Sequence, residues 1–545
     1  MEEPISDPPP SLARSTAVMS AGTILSRITG FVRQWAMAVA LGVSLTAHGS
    51  IPIASAFTVS NNIPNMIYEL IAGGVLSSLF IPIFMEKLNR EGESASFRMT
   101  NTLFSLFLLV LGFIALVGTL FPQAFVWTQT FTLPAADRQL AIYLFRFFAV
   151  QIIFYAFVAL TTGVLNSYRK FFASALAPLF NNVVVIVVLL GFYLPLRDSH
   201  PQLAIIALGV GTTLGVVALF VAQVPALLKL GFRFKWSMDL QDPYLRKMVR
   251  KGAWLLAYVG VNMIGLSFRN AFALYTMRDG AAALQYAWMW YQLPFGVLAV
   301  SYITAVFPEL SDTAAREDWT AFKSYLARGL RAMSLLILPA MAMLLALGTP
   351  LVSLYRFGKF PAAAIPLVTY LLAGWTVGLF FFSAFMLVMR AFTALQDTRT
   401  PAVVNIVLTV VQVGLYALLP RLLAGPYALV GIPLADTIFF ALFLTTLLVI
   451  LRRRIGGFGF AHVLDGWMRS LGGAVVGGLA AWAVLAVTSG LGTGAGGNIL
   501  RVLLGSSVGL GVSYATLHLL RIDELSYVNA QLRRIGSRIL PRRAV

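Results

Sequence analysis

Apolar runs of about 20 residues recur along this chain from end to end, each long enough to cross the hydrocarbon core of a bilayer as a helix. Of the 545 residues, 59% are hydrophobic and only 11% charged, against roughly 25% charged in a soluble globular protein. Such a chain would aggregate in water, so lipid is its expected solvent. The bilayer core holds no water to satisfy backbone N–H and C=O groups, which leaves helices or a closed barrel. The runs are continuous rather than alternating, and that excludes a barrel. The expectation is an all-α polytopic membrane protein of about 14 transmembrane helices. Its spans are 15–42, 50–85, 99–121, 138–166, 172–196, 203–229, 252–277, 281–308, 329–349, 363–389, 401–420, 426–451, 470–489 and 498–520. The segment 50–85 is too long for one straight span. Asn61, Asn62, Pro64 and Asn65 in its middle predict a kink or an unwound turn there.

Basic residues test this count, because cytoplasmic loops collect Lys and Arg. With the N-terminus inside, 29 of the 40 Lys and Arg fall in inside segments and seven in outside ones: Arg138, Arg197, Arg278, Arg356, Lys359, Arg421 and Arg501. Both termini are then cytoplasmic. The net charge of +19 is accounted for by anionic inner-leaflet lipid and calls for no nucleic acid. The polar, Pro-rich N-terminus lacks the basic start and cleavage site of a secretory signal, so the first helix is expected to be retained.

Two punctuation marks recur. FIPIFMEKLNREG after the second span and VFPELSDTAARED after the eighth both put Pro near a helix end before a charged loop. LNSYRKFFASALAPLFNN and FTALQDTRTPAVVN both place a short polar turn before Pro and then Asn. Pro82 to Pro308 is 226 residues, and Pro178 to Pro401 is 223. Nearly equal offsets argue for duplication of a six-helix unit, with both copies in one orientation and a pseudo-twofold axis along the membrane normal. The layout follows as a cytoplasmic tail (1–14), a first lobe (15–230), a basic linker (231–251), a second lobe (252–451), a cytoplasmic loop (452–469), two C-terminal helices (470–520) and a basic tail (521–545). The run LGGAVVGGLAAWAV in the thirteenth span is rich in Gly and Ala, which permits close helix packing.

Six ionisable residues lie well inside the spans: Arg27, Arg33, Arg146, Arg269, Glu69 and Asp436. Each costs at least about 2.5–3.5 kcal/mol at the bilayer centre and therefore needs a partner, a wet cavity or a ligand. Four cations against two acids leave a surplus of positive charge. Surplus guanidinium fits a phosphate or pyrophosphate, whose oxygens it meets bidentately. A proton or cation pathway would favour surplus carboxylate instead. Arg27, Arg33 and Arg269 are the candidate binding cations, with Arg146 placed to snorkel. Glu69 and Asp436 are candidate charge partners, Glu69 being within reach of Arg27 or Arg33. Asn61 and Asn62 are candidate polar cavity groups. There are no cysteines, the four histidines are scattered, and no Walker loop or catalytic constellation is present. No metal, cofactor or enzymatic activity is expected.

The segments SAGTILSRITGFVRQ (20–34), AFTVSNNIPNMIYELIAGGVLSSLFIPIF (56–84), GVLNSYRKFFASALAPLFNN (163–182), YQLPFGVLAVSYITAVFPELS (291–311), YRFGKF (355–360) and ALQDTRTPAVVN (394–405) resemble the MurJ (MviN) lipid II flippases. That family belongs to the multidrug/oligosaccharidyl-lipid/polysaccharide exporter superfamily. The resemblance implies fourteen helices, a cationic central cavity, and transport of an undecaprenyl-pyrophosphate-linked peptidoglycan precursor to the outer leaflet by alternating access. It also implies a groove for the lipid tail at helices 13 and 14. Arg27 and Arg33 match the family's helix-1 arginines. Elsewhere the chain departs from the family: Ser55 replaces an acid, Tyr68 a basic residue and Gly73 a glutamate. Trp288 and Met289 replace an Asp-Arg pair, and Gln292 a further acid. Arg269 is expected to stand in for the lost helix-8 arginine, with Trp288, Trp290, Tyr291 and Gln292 lining the cavity. Competing readings are a flippase for another polyprenyl-linked glycan, a non-transporting paralogue that scaffolds cell-wall synthesis proteins, and a drug/cation antiporter of the same fold.

Overall fold

The computed structural model describes residues 12–525 apart from 47, 72–79, 357–359, 424, 491, 493 and 523. The outer parts of both expected tails, Gly73 and the middle of YRFGKF lie outside the described residues. The described chain is helical, with no strand, and forms two compact units, Met1–Ala282 with Gly358–Phe360 and Ala283–Phe357 with Pro361–Val545.

The first unit contains α1 (Leu12–Leu41), α2 (Ile53–Ile71), α3 (Ile81–Glu91), α4 (Glu93–Leu120), α5 (Pro122–Thr130), α6 (Gln139–Phe148), α7 (Gln151–Ser167), α8 (Phe171–Val187), α9 (Leu194–Leu196), α10 (Pro201–Val221), α11 (Val224–Lys229) and α12 (Pro243–Thr276). Helix α13 (Gly280–Pro294) leads into the second unit. There follow α14 (Val300–Ala315), α15 (Trp319–Ala346), α16 (Gly348–Ser353), α17 (Ala364–Thr376), α18 (Leu379–Ala394), α19 (Arg399–Leu422), α20 (Gly431–Ile455), α21 (Phe460–Val487) and α22 (Ala495–Leu519). Among the described residues nine helices are long and apolar enough to cross a bilayer, or eleven when each of two bent pairs counts as one span. The three other expected spans coincide with α1, with α2 and α3, and with α12, the helices that carry Arg27, Arg33, Glu69 and Arg269. The chain is a multi-pass membrane protein.

Helix α2 stays helical through Pro64, so of the expected kink or unwound turn no unwound turn forms there. Proline removes one intrahelical hydrogen bond, and a side chain can satisfy carbonyls left exposed around the break. Here the Asn65 side chain donates to the Asn61 carbonyl one turn upstream, at 2.7 Å.

The duplication inferred from proline spacing recurs in the backbone. Helices α4 and α15 are each 28 residues long and start 226 residues apart. The pairs α6/α7 and α17/α18 are both bent, by 46° and 40°. Left-handed residues end the corresponding helices: Gly92 and Glu317 close α3 and α14, and Arg169 and Gln396 close α7 and α18. Repetition of cap geometry and helix length in one order is the signature of a copied unit.

Helix α12 belongs to the first unit, where it packs on α2 and α5. Its N-terminus is set by Pro243 and by Asp242, which accepts the Tyr244 N–H at 2.8 Å. The other Asp242 oxygen takes Lys87 of α3 at 2.7 Å, with both side chains buried, and Lys247 of α12 pairs with Glu86. Two ion pairs thus tie the end of α3 to the start of α12.

The glycine run of the thirteenth span does what its composition suggested. Gly473 and Gly477 of α21 face α22, and a Cβ on Gly477 would collide with the Gly509 carbonyl and the Ser513 hydroxyl. Gly472, one residue from that face, has open space around it. Replacing Gly477 by Ala should destabilise the packed pair by about 1–3 kcal/mol of overpacking. The expected readout is a lower melting temperature of the detergent-solubilised chain for Gly477→Ala and an unchanged one for Gly472→Ala.

Candidate functional site

The first unit gathers most of the predicted polar residues. Helix α1 is fastened to α8 by Asn182, whose amide donates to the Ser26 carbonyl at 3.2 Å and the Thr29 hydroxyl at 3.1 Å. This leaves Arg27 exposed and Arg33 half-buried further along α1. The Arg33 Nε is buried and makes no hydrogen bond among the described residues. Its electrostatic neighbour is Tyr155 of α7, whose hydroxyl is hydrogen-bonded to Asn65 and whose ring lies 5.0 Å from that of Tyr68. The next residue, Glu69, points from α2 within electrostatic reach of Arg269 on α12. One continuous polar strip therefore runs Arg33, Tyr155, Asn65, Tyr68, Glu69, Arg269. The charge that Glu69 feels is that of the α12 arginine. Among the described residues no carboxylate lies within ion-pair distance of Arg27 or Arg33. Asn61 and Asn62 are half-buried on α2, and the Asn61 side-chain oxygen is buried with no hydrogen-bond partner among the described residues. Arg146 is exposed on α6 beside exposed Tyr143.

Two sets of hydrogen bonds hold α12 where Arg269 meets this strip. Buried Gln129 of α5 donates to Ser267 and accepts from Asn270, both at 2.7 Å, and Thr132 donates to the Ala271 carbonyl at 2.6 Å. Beyond the end of α12, Asp279 is 1% exposed and accepts the backbone N–H groups of Ser44 at 2.6 Å and Ser55 at 3.0 Å. The Ser55 hydroxyl accepts from the Ala282 N–H at 3.1 Å, so the serine at the family's acidic position is a structural tie. Arg278 next to it pairs with Asp137 at 3.0 Å.

The remaining predicted residues lie in the second unit. Asp436 of α20 is buried and accepts from Trp375 Nε1 at 2.8 Å, from Gln412 Nε2 at 2.7 Å and from the Tyr416 hydroxyl. Three neutral donors solvate this carboxylate, a structural junction of α17, α19 and α20. Trp288 packs 4.8 Å from Tyr291 and 5.0 Å from Trp375, inside an aromatic cluster, and Gln292 is half-buried one turn further on. An apolar groove of about 790 Å³ runs beside α15 and α22, lined by Leu293, Val297, Pro339, Leu347, Val502 and Leu510 among others. Among the described residues no three His, Cys, Asp or Glu side chains converge as metal ligands.

The family model described as lipid II flippase MurJ matches residues 44–496. The chain belongs to this family. It is therefore a member of a transporter family, and not an enzyme. A curated relative, the lipid II flippase MurJ of Burkholderia cenocepacia, is 28% identical over 418 residues, covering 75% of this chain and 79% of that one. The probable lipid II flippase MurJ of Vibrio cholerae is 27% identical, covering 78% and 80%. Among solved structures, a lipid II flippase MurJ in an inward closed conformation superposes with a TM-score of 0.74 at 21% identity, over 93% of this chain and all of that one. An inward-facing multidrug resistance transporter of the MATE family, of the MOP superfamily, superposes with a TM-score of 0.65 at 14% identity. These neighbours share the fold.

Sequence reasoning missed Tyr155 and Asn65 as members of the strip, and Trp375, Gln412 and Tyr416 as the shell of Asp436. A tyrosine or glutamine interrupting an apolar helix was the available signal, but what it faces is set by helix packing. Asp279 was also missed, and it titrates in an accessible range. Burial raises its pKa from 3.8 to about 6, against the hydrogen bonds from Ser44 and Ser55 that favour the anion. The folded state then binds this proton more tightly than the unfolded chain. The resulting stability is full below about pH 4 and is lost as pH rises through about 6, a swing of about 3 kcal/mol. Melting curves between pH 4 and 8 should show this loss in the wild type and a smaller one in Asp279→Asn.

Proposed function

We propose that this chain flips lipid II, the undecaprenyl-pyrophosphate-linked peptidoglycan precursor, from the inner to the outer leaflet of a bacterial cytoplasmic membrane. Both termini lie in the cytoplasm, and alternating access drives the transfer. The observation that carries the reading is Arg33, a guanidinium held half-buried in a transmembrane helix with a buried Nε and no carboxylate within ion-pair distance among the described residues. A charge in that position is maintained by a wet cavity or an anionic ligand. A pyrophosphate supplies oxygens in the planar, bidentate geometry that guanidinium prefers. Arg27 adds a second cation on the same helix. Arg269 reaches the same strip from α12, in the role of the arginine missing from α13.

The rest of the cargo also finds counterparts. The apolar groove offers the long isoprenoid chain a surface away from water, and its volume suits part of such a chain rather than all of it. Membership of the lipid II flippase family favours peptidoglycan precursor over another polyprenyl-linked glycan. A drug or cation antiporter fits less well, because the buried Asp436 is already engaged by neutral donors and the α1 cations have no matching acids.

Depletion of the chain in its host should cause a lipid-linked precursor to accumulate in the inner leaflet, and mass spectrometry identifies which one. Lipid II accumulation, rescued by an established lipid II flippase, is the expected outcome. Accumulation of a different polyprenyl glycan would assign the alternative cargo, and no accumulation would leave the scaffold reading. In the same cells Arg33→Ala should reduce flipping by about tenfold or more, the loss of one or two charge-assisted hydrogen bonds. Arg33→Lys should recover part of it. Arg146→Ala should flip at the wild-type rate.

A further inference from the structure

The chain between α11 and α12 has no regular secondary structure over residues 232–239 and lies along α4. Its attachment is specific. The Asn101 amide donates to the Arg233 carbonyl at 3.4 Å and its oxygen accepts the Lys235 N–H at 3.1 Å. The Ser105 hydroxyl accepts the Ser237 N–H at 3.1 Å, and the Thr102 and Ser237 hydroxyls are 2.9 Å apart. Phe232 is buried against Phe97 and Phe104, which pins the start of the strap, and the Asp242–Lys87 pair pins its end.

The exposed side of the strap is apolar. Phe234, Trp236, Met238 and Leu240 are 52%, 56%, 40% and 52% exposed. The backbones of Arg233, Lys235 and Ser237 bond to α4 and Phe234, Trp236 and Met238 alternate with them as one row, with Leu240 following in a turn where its N–H donates to the Met238 carbonyl. Arg233 and Lys235 stand exposed between the apolar side chains. Four large exposed apolar side chains so close together would be a liability in water.

Position decides what covers them. Helix α4 is covered from Met99 through Ser105 and then exposes Leu109, Val110, Phe113 and Leu116, the band that faces hydrocarbon. The strap is bonded at Asn101 to Ser105, about one helical turn short of that band. Its apolar row therefore continues the lipid-facing surface into the head-group region. Trp and Phe with interspersed Lys and Arg form the composition that settles there. This is also the basic end of the first unit, where exposed Arg90, Arg98, Arg169, Lys170 and Lys229 collect. A non-helical backbone is tolerated beside lipid only where its polar groups have partners. The buried Asn101, Thr102 and Ser105 supply them, on a helix that has no other use for three polar side chains at that level.

We propose that residues 232–240 are an interfacial anchor that seats on anionic lipid, with the aromatic row inserted at head-group depth and Arg233 and Lys235 contacting lipid phosphates. The anchor ends at the cap of α12, so its seating fixes the end of the helix that carries Arg269. It does not depend on which cargo the chain carries.

The test uses the full chain in nanodiscs of phosphatidylglycerol and phosphatidylcholine, with bromine placed either near the glycerol end or near the tip of the acyl chains. The Trp236 signal is the difference between wild type and Trp236→Phe. Shallow bromine should quench that signal by about half or more, and deep bromine distinctly less. An unquenched signal with both lipids would overturn the anchor. Quenching with one chain per disc that vanishes with two would assign the row to a second copy instead. The double variant Arg233→Gln/Lys235→Gln should reduce the enrichment of phosphatidylglycerol around the chain at least about twofold by native mass spectrometry. An unchanged enrichment would remove the anionic preference from the proposal.

Discussion

Everything in this protein follows from a solvent that offers no hydrogen bonds. In hydrocarbon an unsatisfied polar group costs several kcal/mol, so the backbone closes on itself as helix and each polar side chain must be answered by another group. The helices themselves need little explanation. The informative residues are the few polar ones, and the structure sorts them by the partner each has found.

Most are answered by protein. Asn182 joins α8 to α1, Gln129 joins α5 to α12, and Asp436 draws Trp375, Gln412 and Tyr416 onto one point. At the ends of the bundle the Lys87–Asp242 and Arg278–Asp137 pairs and the Asp279 cap do the same for the turns around α12. These contacts make α12 part of the first unit and bring Arg269 beside Glu69. Arg33 differs in kind, because among the described residues no carboxylate lies within ion-pair distance of it, whereas Arg197, Arg278 and Arg331 each have one. A transporter for an anionic lipid needs such groups: a site fully satisfied by its own side chains would have nothing left to offer a pyrophosphate. The strap at 232–240 follows the same rule from the other side, since its backbone is answered by α4 while its side chains are left for lipid.

The fold was legible because lipid reduces the problem to length and polarity. Apolar runs announced the helices, and proline spacing announced a duplication that helix lengths and left-handed caps repeat. At Pro64 the helix continues without an unwound turn, and the Asn65 side chain donates to a carbonyl one turn upstream, a contact that depends on rotamer and not on composition. The site was only partly legible. The intramembrane arginines stand out in any reading, since charge at that depth is expensive. Their partners do not, because Glu69 lies near Arg27 and Arg33 only in an imagined packing. Trp288 was legible as an aromatic in an apolar helix, but its packing against Tyr291 and Trp375 was not.

What the sequence determined by itself was the solvent, the helices, their repeat and the inventory of charges, all of which are properties of composition and spacing along one dimension. Tertiary structure alone decided which charge meets which. Rotating one helix by a single residue swings its side chains about 100°, and such a rotation changes neither hydropathy nor length. The placing of Glu69 within electrostatic reach of Arg269, the enclosure of Asp436 and the lack, among the described residues, of an acid at ion-pair distance from Arg33 are set by that angle, and only the packing of neighbouring helices selects it.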